Sequence, residues 1–226
     1  MSGAARPGEG VRELVDVMDL LRSAGGCPWD AAQTHESLVP FVLEEAHEVA
    51  EAIEAGDRAG MREELGDLLL QVVFHARLAQ EDASDPFGLD DVARGVAAKL
   101  VRRHPHVFAG APSPPGDDDA VQVQWDRIKT ADKQRTSVLE GIPLAQGALA
   151  RAQKVLSRAR RAGLAVTAGA SATQHVAQAP ADVSAALGAR LLLLAAEADA
   201  AGVDAEASLR AALRTLEVAV RSAEAG

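Results

Sequence analysis

Residues 65–76, Leu-Gly-Asp-Leu-Leu-Leu-Gln-Val-Val-Phe-His-Ala, are apolar almost all the way round a helix. Such a helix belongs inside a protein, enclosed by others. Its polar positions form one stripe: Glu64, Asp67 and Gln71. Acids are seldom buried without a partner, because desolvating a carboxylate costs several kcal/mol. This segment therefore demands both helical neighbours and a reason for its acids.

The neighbours are predictable. Hydrophobic residues make up 48 % of the 226-residue chain, yet aromatics only 3 %, and Tyr is absent. Alanine and leucine carry the apolar content, and both are strong helix formers. An all-α fold is expected, and no stretch reads as a strand. Periodicity predicts helices over Val11–Ser23, about Phe41–Glu54, about 58–78 and Leu89–Arg103. Thr34 and Asp57 are expected caps. Pro40 is expected to break or kink its segment. Gly25–Asp30 reads as a loop, as does Gly110–Asp119, and a short helix is expected around Trp125. Further helices are expected near Leu144–Ala162, Ser184–Ala200 and Glu206–Ala223.

The second predicted helix carries Glu44, Glu45, His47 and Glu48. Residues three apart share a helix face, so Glu45 joins Glu48 and Glu64 joins Asp67. With Val42, Ala46, Val49 and Ile53 as the core stripe, Glu45 falls at its edge. Antiparallel packing across the Gly56-Asp57 turn brings the four acids together. A hard divalent cation held by oxygen ligands relieves both their repulsion and their desolvation. Carboxylate bundles also hold di-iron, but those supply Glu-x-x-His pairs. Here no Glu has a His three residues on, which favours magnesium. Glu51, Glu54 and Glu63 read as solvated surface.

Charge is uneven. The net charge is -10, and residues 1–136 hold 14 basic and 25 acidic side chains. That balance argues against general nucleic-acid or anionic-membrane binding. No apolar run is long enough to span a bilayer, the first residues carry no signal-peptide core, and the single cysteine, Cys27, supports no disulfide. A cytoplasmic protein is expected. Lys99, Arg102 and Arg103 end one predicted helix. Cations there suit the helix dipole, and beside a metal they also suit substrate phosphates. Trp29 and Trp125 each stand where a base could stack, although Trp29 serves equally well as a packing anchor.

These residues sit in blocks that resemble the MazG family of nucleoside triphosphate pyrophosphohydrolases. GCPWD at 26–30 with Gln33-Thr34, LEEAHEVAEAI at 43–53, EELGDLLLQVVFHA at 63–76, KLVRRHPHVF at 99–108 and QWDRIK at 124–129 follow the family's order. The resemblance implies a MazG-like helical bundle, Mg2+ dependence with Mn2+ as a substitute, and cleavage between the α and β phosphates. It implies Glu45, Glu48, Glu64 and Asp67 as metal ligands, with Glu44 beside Glu45 in the catalytic pair. Lys99, Arg102 and Arg103 would hold the triphosphate, with Trp125 at the nucleoside; Trp29 stays a candidate from its own position. Two other readings stand: a relative narrowed to dUTP or phosphoribosyl-ATP, and a non-catalytic metal-binding interaction module.

Long members of the family carry two tandem copies. Ala152–Leu164 resembles the lead into a second copy. Where the acids should follow, the chain reads AALGARLLLLAAEADAAG, with Ala186 and Ala189 in place of Glu and Asp. The expected organisation is a MazG-type domain over 1–136 and a degenerate helical unit over 137–226, the latter serving structure or homodimerisation.

Overall fold

The computed structural model describes residues 8–110, 128, 136–179 and 182–225. The chain divides into two compact units, one up to Ala111 and one from Pro112. Among the described residues every regular element is a helix.

In the first unit, α1 spans Glu9–Arg22, α2 Pro28–Ala32, α3 His35–Ala55, α4 Arg58–Ala79, α5 Leu89–Arg103 and α6 Pro105–Phe108. α4 lies at the centre, packed against α1, α3 and α5. Met18 from α1, Leu38 from α3, and Val73 and Phe74 from α4 form the buried core, with Leu14, Leu21, Phe41 and Leu70 around it. The nearly all-apolar segment is enclosed only in part: Val73, Phe74 and Ala76 are buried, whereas Leu65 and Val72 are exposed.

Two local expectations are corrected. Gly25–Asp30 is only partly a loop, because Pro28 opens the short helix α2. Proline suits a first helical position, where its missing N–H is not needed. The turn before it is tight: a Cβ on Gly26 would lie 2.3 Å from the Leu21 carbonyl oxygen. Pro40 does not break its segment, since α3 runs unbroken from His35 to Ala55. The one bond it forgoes is to the Glu36 carbonyl in the first turn, and a reciprocal cap secures that turn. The Ser37 N–H donates to Thr34 Oγ1 at 3.2 Å, and the Thr34 N–H donates to Ser37 Oγ at 2.9 Å. Gly56, at φ 70°, ends α3. Asp57 then caps α4, accepting from the N–H groups of Ala59 and Gly60 at 3.0 and 3.1 Å.

The expected helix around Trp125 lies outside the described residues. The second unit contains α7, Ala148–Arg161; α8, Ala168–Gln178; α9, Val183–Ala200; and α10, Ala205–Glu224. The sequence reading missed α8, whose Gly, Ser and Thr content hides its helical period. α9 packs on α7, α8 and α10. The interior is lined by small side chains: Ala159, Ala168, Ala172, Ala185, Ala189 and Ala195 are buried. Leu187, Leu194, Leu213 and Leu216 face outward.

The first unit is tied by Arg22, whose side chain is 4 % exposed. It donates to both Glu81 oxygens at 3.1 and 2.9 Å, and to the carbonyls of Asp30 and Gln33. Its guanidinium also lies 5.5 Å from the Phe74 ring centroid. Removing it strands two carbonyls and half of a bidentate pair. Arg22→Ala should therefore lose about 2–3 kcal/mol in chemical denaturation. Arg94→Ala, which removes a largely exposed pair with Asp90, should stay within about 0.5 kcal/mol of the parent.

Candidate metal centre

α3 and α4 form an antiparallel hairpin across the Gly56-Asp57 turn. His35 and His75 face each other toward one end of it, and the acids toward the other. The interior face of α3 differs from the expected stripe. It runs through Leu38, Val42, Glu45, Val49 and Ala52, whereas Ala46 and Ile53 are exposed. Glu45 therefore stands within the packing face rather than at its edge. The reason is that the helix turns its Ala52 side, not Ile53, toward the tight turn into α4.

One carboxylate oxygen from each of Glu45, Glu48 and Glu64 lies within 4.8 Å of the others. Asp67 is not in that trio, but of the neighbouring charges it weighs most on Glu45. Desolvation, followed by the charges of Asp67, Glu48, Glu64 and Glu44, raises the Glu45 pKa. Desolvation followed by Glu48, Glu63 and Asp67 raises that of Glu64. Glu44 is exposed and contributes the least to Glu45 of these four charges. The donors are all hard oxygens, which suit magnesium or manganese rather than a soft metal.

The remaining candidates fall as follows. Trp29, on α2, is 53 % exposed and meets Phe41 edge to face, with centroids 6.1 Å apart. Phe41 precedes Glu45 by one helical turn. Lys99 and Arg103 are half-buried and Arg102 exposed, all on the last turns of α5. The helix ends there because His104 precedes Pro105; His104 Nδ1 lies 2.7 Å from the Leu100 carbonyl oxygen. Trp125 lies outside the described residues.

Sequence reasoning overlooked the contact between His35 and His75. Their Nδ1 atoms are 2.7 Å apart, their centroids 5.0 Å apart, and the rings are inclined by 5°. The two distances agree only if both nitrogens lie near the line of centres. The rings thus meet edge to edge through one N–H···N bond. Burial first, then the His35 charge, lowers the His75 pKa.

Fold and acids together give helices that carry an acidic cluster whose oxygens could hold a cation. Residues 33–108 match the MazG nucleotide pyrophosphohydrolase domain. An uncharacterized 26.1 kDa protein of Streptomyces cacaoi is 50 % identical over 224 residues, covering 96 % of this chain and 84 % of that one. A nucleoside triphosphate pyrophosphohydrolase of Mycobacterium tuberculosis is 46 % identical over 157 residues, 70 % of this chain and 47 % of that one. One of Escherichia coli is 42 % identical over 157 residues, 68 % of this chain and 58 % of that one. This chain belongs to the MazG family of nucleotide pyrophosphohydrolases. The matched stretch spans only about half the length of the last two relatives.

The raised pKa values carry a definite sign. A carboxyl that holds its proton more tightly when folded favours the fold below its ordinary pKa of 4.5, and that contribution is lost as pH rises through the raised value. Glu45→Gln should therefore raise the melting temperature of chelator-treated protein at pH 7.5, and by less at pH 4. An equal loss at both pH values would show that the Glu45 charge is not under strain.

Proposed function

We propose that this chain is a magnesium-dependent pyrophosphohydrolase that converts nucleoside triphosphates to monophosphates and pyrophosphate in the cytoplasm. One observation carries the reading: Glu45, Glu48 and Glu64 converge from facing helices, with Asp67 acting on Glu45, in a chain of this family. The names of the M. tuberculosis and E. coli relatives support the substrate class.

Glu45, Glu48, Glu64 and Asp67 would hold the cation, with manganese an effective substitute. When bound, the ion supplies Lewis-acid charge that acidifies water and screens the triphosphate. Glu44, solvated beside Glu45, accepts the proton of the attacking water. Lys99, Arg102 and Arg103 bind the phosphates and stabilise the charge of departing pyrophosphate. Trp29 contacts the nucleoside from beside Phe41, and Trp125 is a second residue proposed to contact the nucleoside. The reaction needs no covalent enzyme intermediate.

The test is release of pyrophosphate from a panel of ribo- and deoxynucleoside triphosphates, with dUTP and phosphoribosyl-ATP included. Turnover of several triphosphates is expected, and Asp67→Ala should abolish it while leaving the helical circular dichroism intact. Arg102→Ala and Arg103→Ala should raise KM in the same assay. Turnover of dUTP or phosphoribosyl-ATP alone would assign the narrower activity. Metal binding without turnover on any substrate would make the chain an interaction module instead.

The segment from Ser137 onward is proposed to be a degenerate second copy that mediates homodimerisation. Ala186 is exposed and Ala189 buried, and alanine cannot coordinate a hard cation. Leu209, Leu213 and Leu216 lie exposed on α10 at helical spacing. Each leucine fully buried by association contributes on the order of 2 kcal/mol. Leu213→Glu with Leu216→Glu should shift sedimentation from dimer toward monomer. An unshifted dimer would place the interface elsewhere.

A further inference from the structure

Gln71 stands on α4 one turn beyond Asp67 and one turn before His75, on the stripe that begins at Glu64. It is only 7 % exposed, and its Oε1 makes no hydrogen bond. A buried amide oxygen without a partner is costly and uncommon, and an apolar residue would spare the cost. What Oε1 lacks is a donor.

The seam between α3 and α4 offers none. The His35–His75 contact and the Glu48–Glu64 contact set an antiparallel register that places Gln71 across from Leu38 to Val42. The side chains of Leu38, Phe41 and Val42 carry no donor. Ionised Glu45, Glu64 and Asp67 can only accept. His35 and His75 direct their Nδ1 atoms at each other, and neither ring's Nε2 bonds Gln71 Oε1. A hard divalent cation changes this inventory, because it keeps several of its waters, and each carries protons to donate. Residues four apart on a helix are neighbours, so Gln71 adjoins the cation site through Asp67.

We propose that Gln71 is a positioning residue for the cation. Its Oε1 accepts a hydrogen bond from a water in the hydration shell of the ion that Glu45, Glu48, Glu64 and Asp67 hold. The proposal rests on the metal reading given above. It explains why an amide is kept where a leucine or methionine would pack without penalty. It also gives Gln71 opposite effects in the two states: a liability without the ion, a support with it.

Two measurements test this on the full-length chain. The first is Mn2+ binding without nucleotide, followed by the electron paramagnetic resonance signal of free Mn2+. The second is the melting temperature in excess chelator. Gln71→Met removes the amide and keeps the volume. It should bind Mn2+ about 10-fold or more weakly than the parent, as loss of an outer-shell partner does. It should also melt higher than the parent in chelator. Gln71→Glu keeps an oxygen acceptor at the same place and should hold Mn2+ at least as tightly as the parent. Mn2+ affinity of Gln71→Met within two-fold of a parent that binds overturns the proposal and leaves the metal site standing. A lower melting temperature of Gln71→Met in chelator also overturns it, because the amide would then be satisfied within the protein. Should Gln71→Met fail to fold, weakened binding by Gln71→Glu overturns it. A parent that takes up no Mn2+ overturns the metal reading itself, and this inference with it.

Discussion

The structure depends on one enforced proximity: α3 and α4 are pressed together along a face that carries like charges. The pressure comes from Leu38, Val73 and Phe74, which are almost wholly buried on the same helices. The repulsion among Glu45, Glu48, Glu64 and Asp67 is small beside the apolar area those helices enclose. The acids therefore stay where packing puts them, and burial first, then the neighbouring charges, raises the pKa values of Glu45 and Glu64. Such an arrangement suits a hard cation that gives up its water reluctantly. Ligands assembled beforehand do not have to be gathered at the moment of binding.

The rest of the first unit keeps this hairpin in register. The Thr34–Ser37 cap fixes where α3 starts, and the Asp57 cap fixes where α4 starts. A slip of one residue at either end would rotate the acids off the shared face. Arg22 acts from outside the hairpin. It joins the end of α1 to Glu81 beyond α4, and by its hold on the Asp30 and Gln33 carbonyls it fixes α2, which carries Trp29. Arg77 adds a second clasp, to Asp19 at 2.7 Å and to Glu81 at 2.9 Å. Together the two cations hold the Glu81 carboxyl below its usual range.

Much of this was legible in the sequence, for a physical reason. Apolar period and capping residues act locally, so α1, α4, α5 and both caps could be read from their own residues. The acids could be read because carboxylates on a nearly all-apolar helix need an explanation. What was misread depended on neighbours. Pro40 looks like a break because its cost is visible, whereas the Ser37 bond that completes the Thr34 cap is not. The α3 core stripe was assigned by apolar character, which favoured Ile53; the close turn chose Ala52. Arg22 gave no signal, since an arginine near a helix end is ordinary until the chain folds over it. His35 and His75 are 40 residues apart, and only the hairpin register brings them together.

That histidine pair has a consequence for symmetry. Two identical side chains joined nitrogen to nitrogen cannot be in the same state, because one must give a proton where the other offers a lone pair. In the neutral pair the donor ring is the Nδ1–H tautomer and its partner the Nε2–H tautomer. Their outer edges then differ in kind: one turns a bare nitrogen away from the bond, the other an N–H. The direction of the N–H···N bond is a polarity that no residue type encodes.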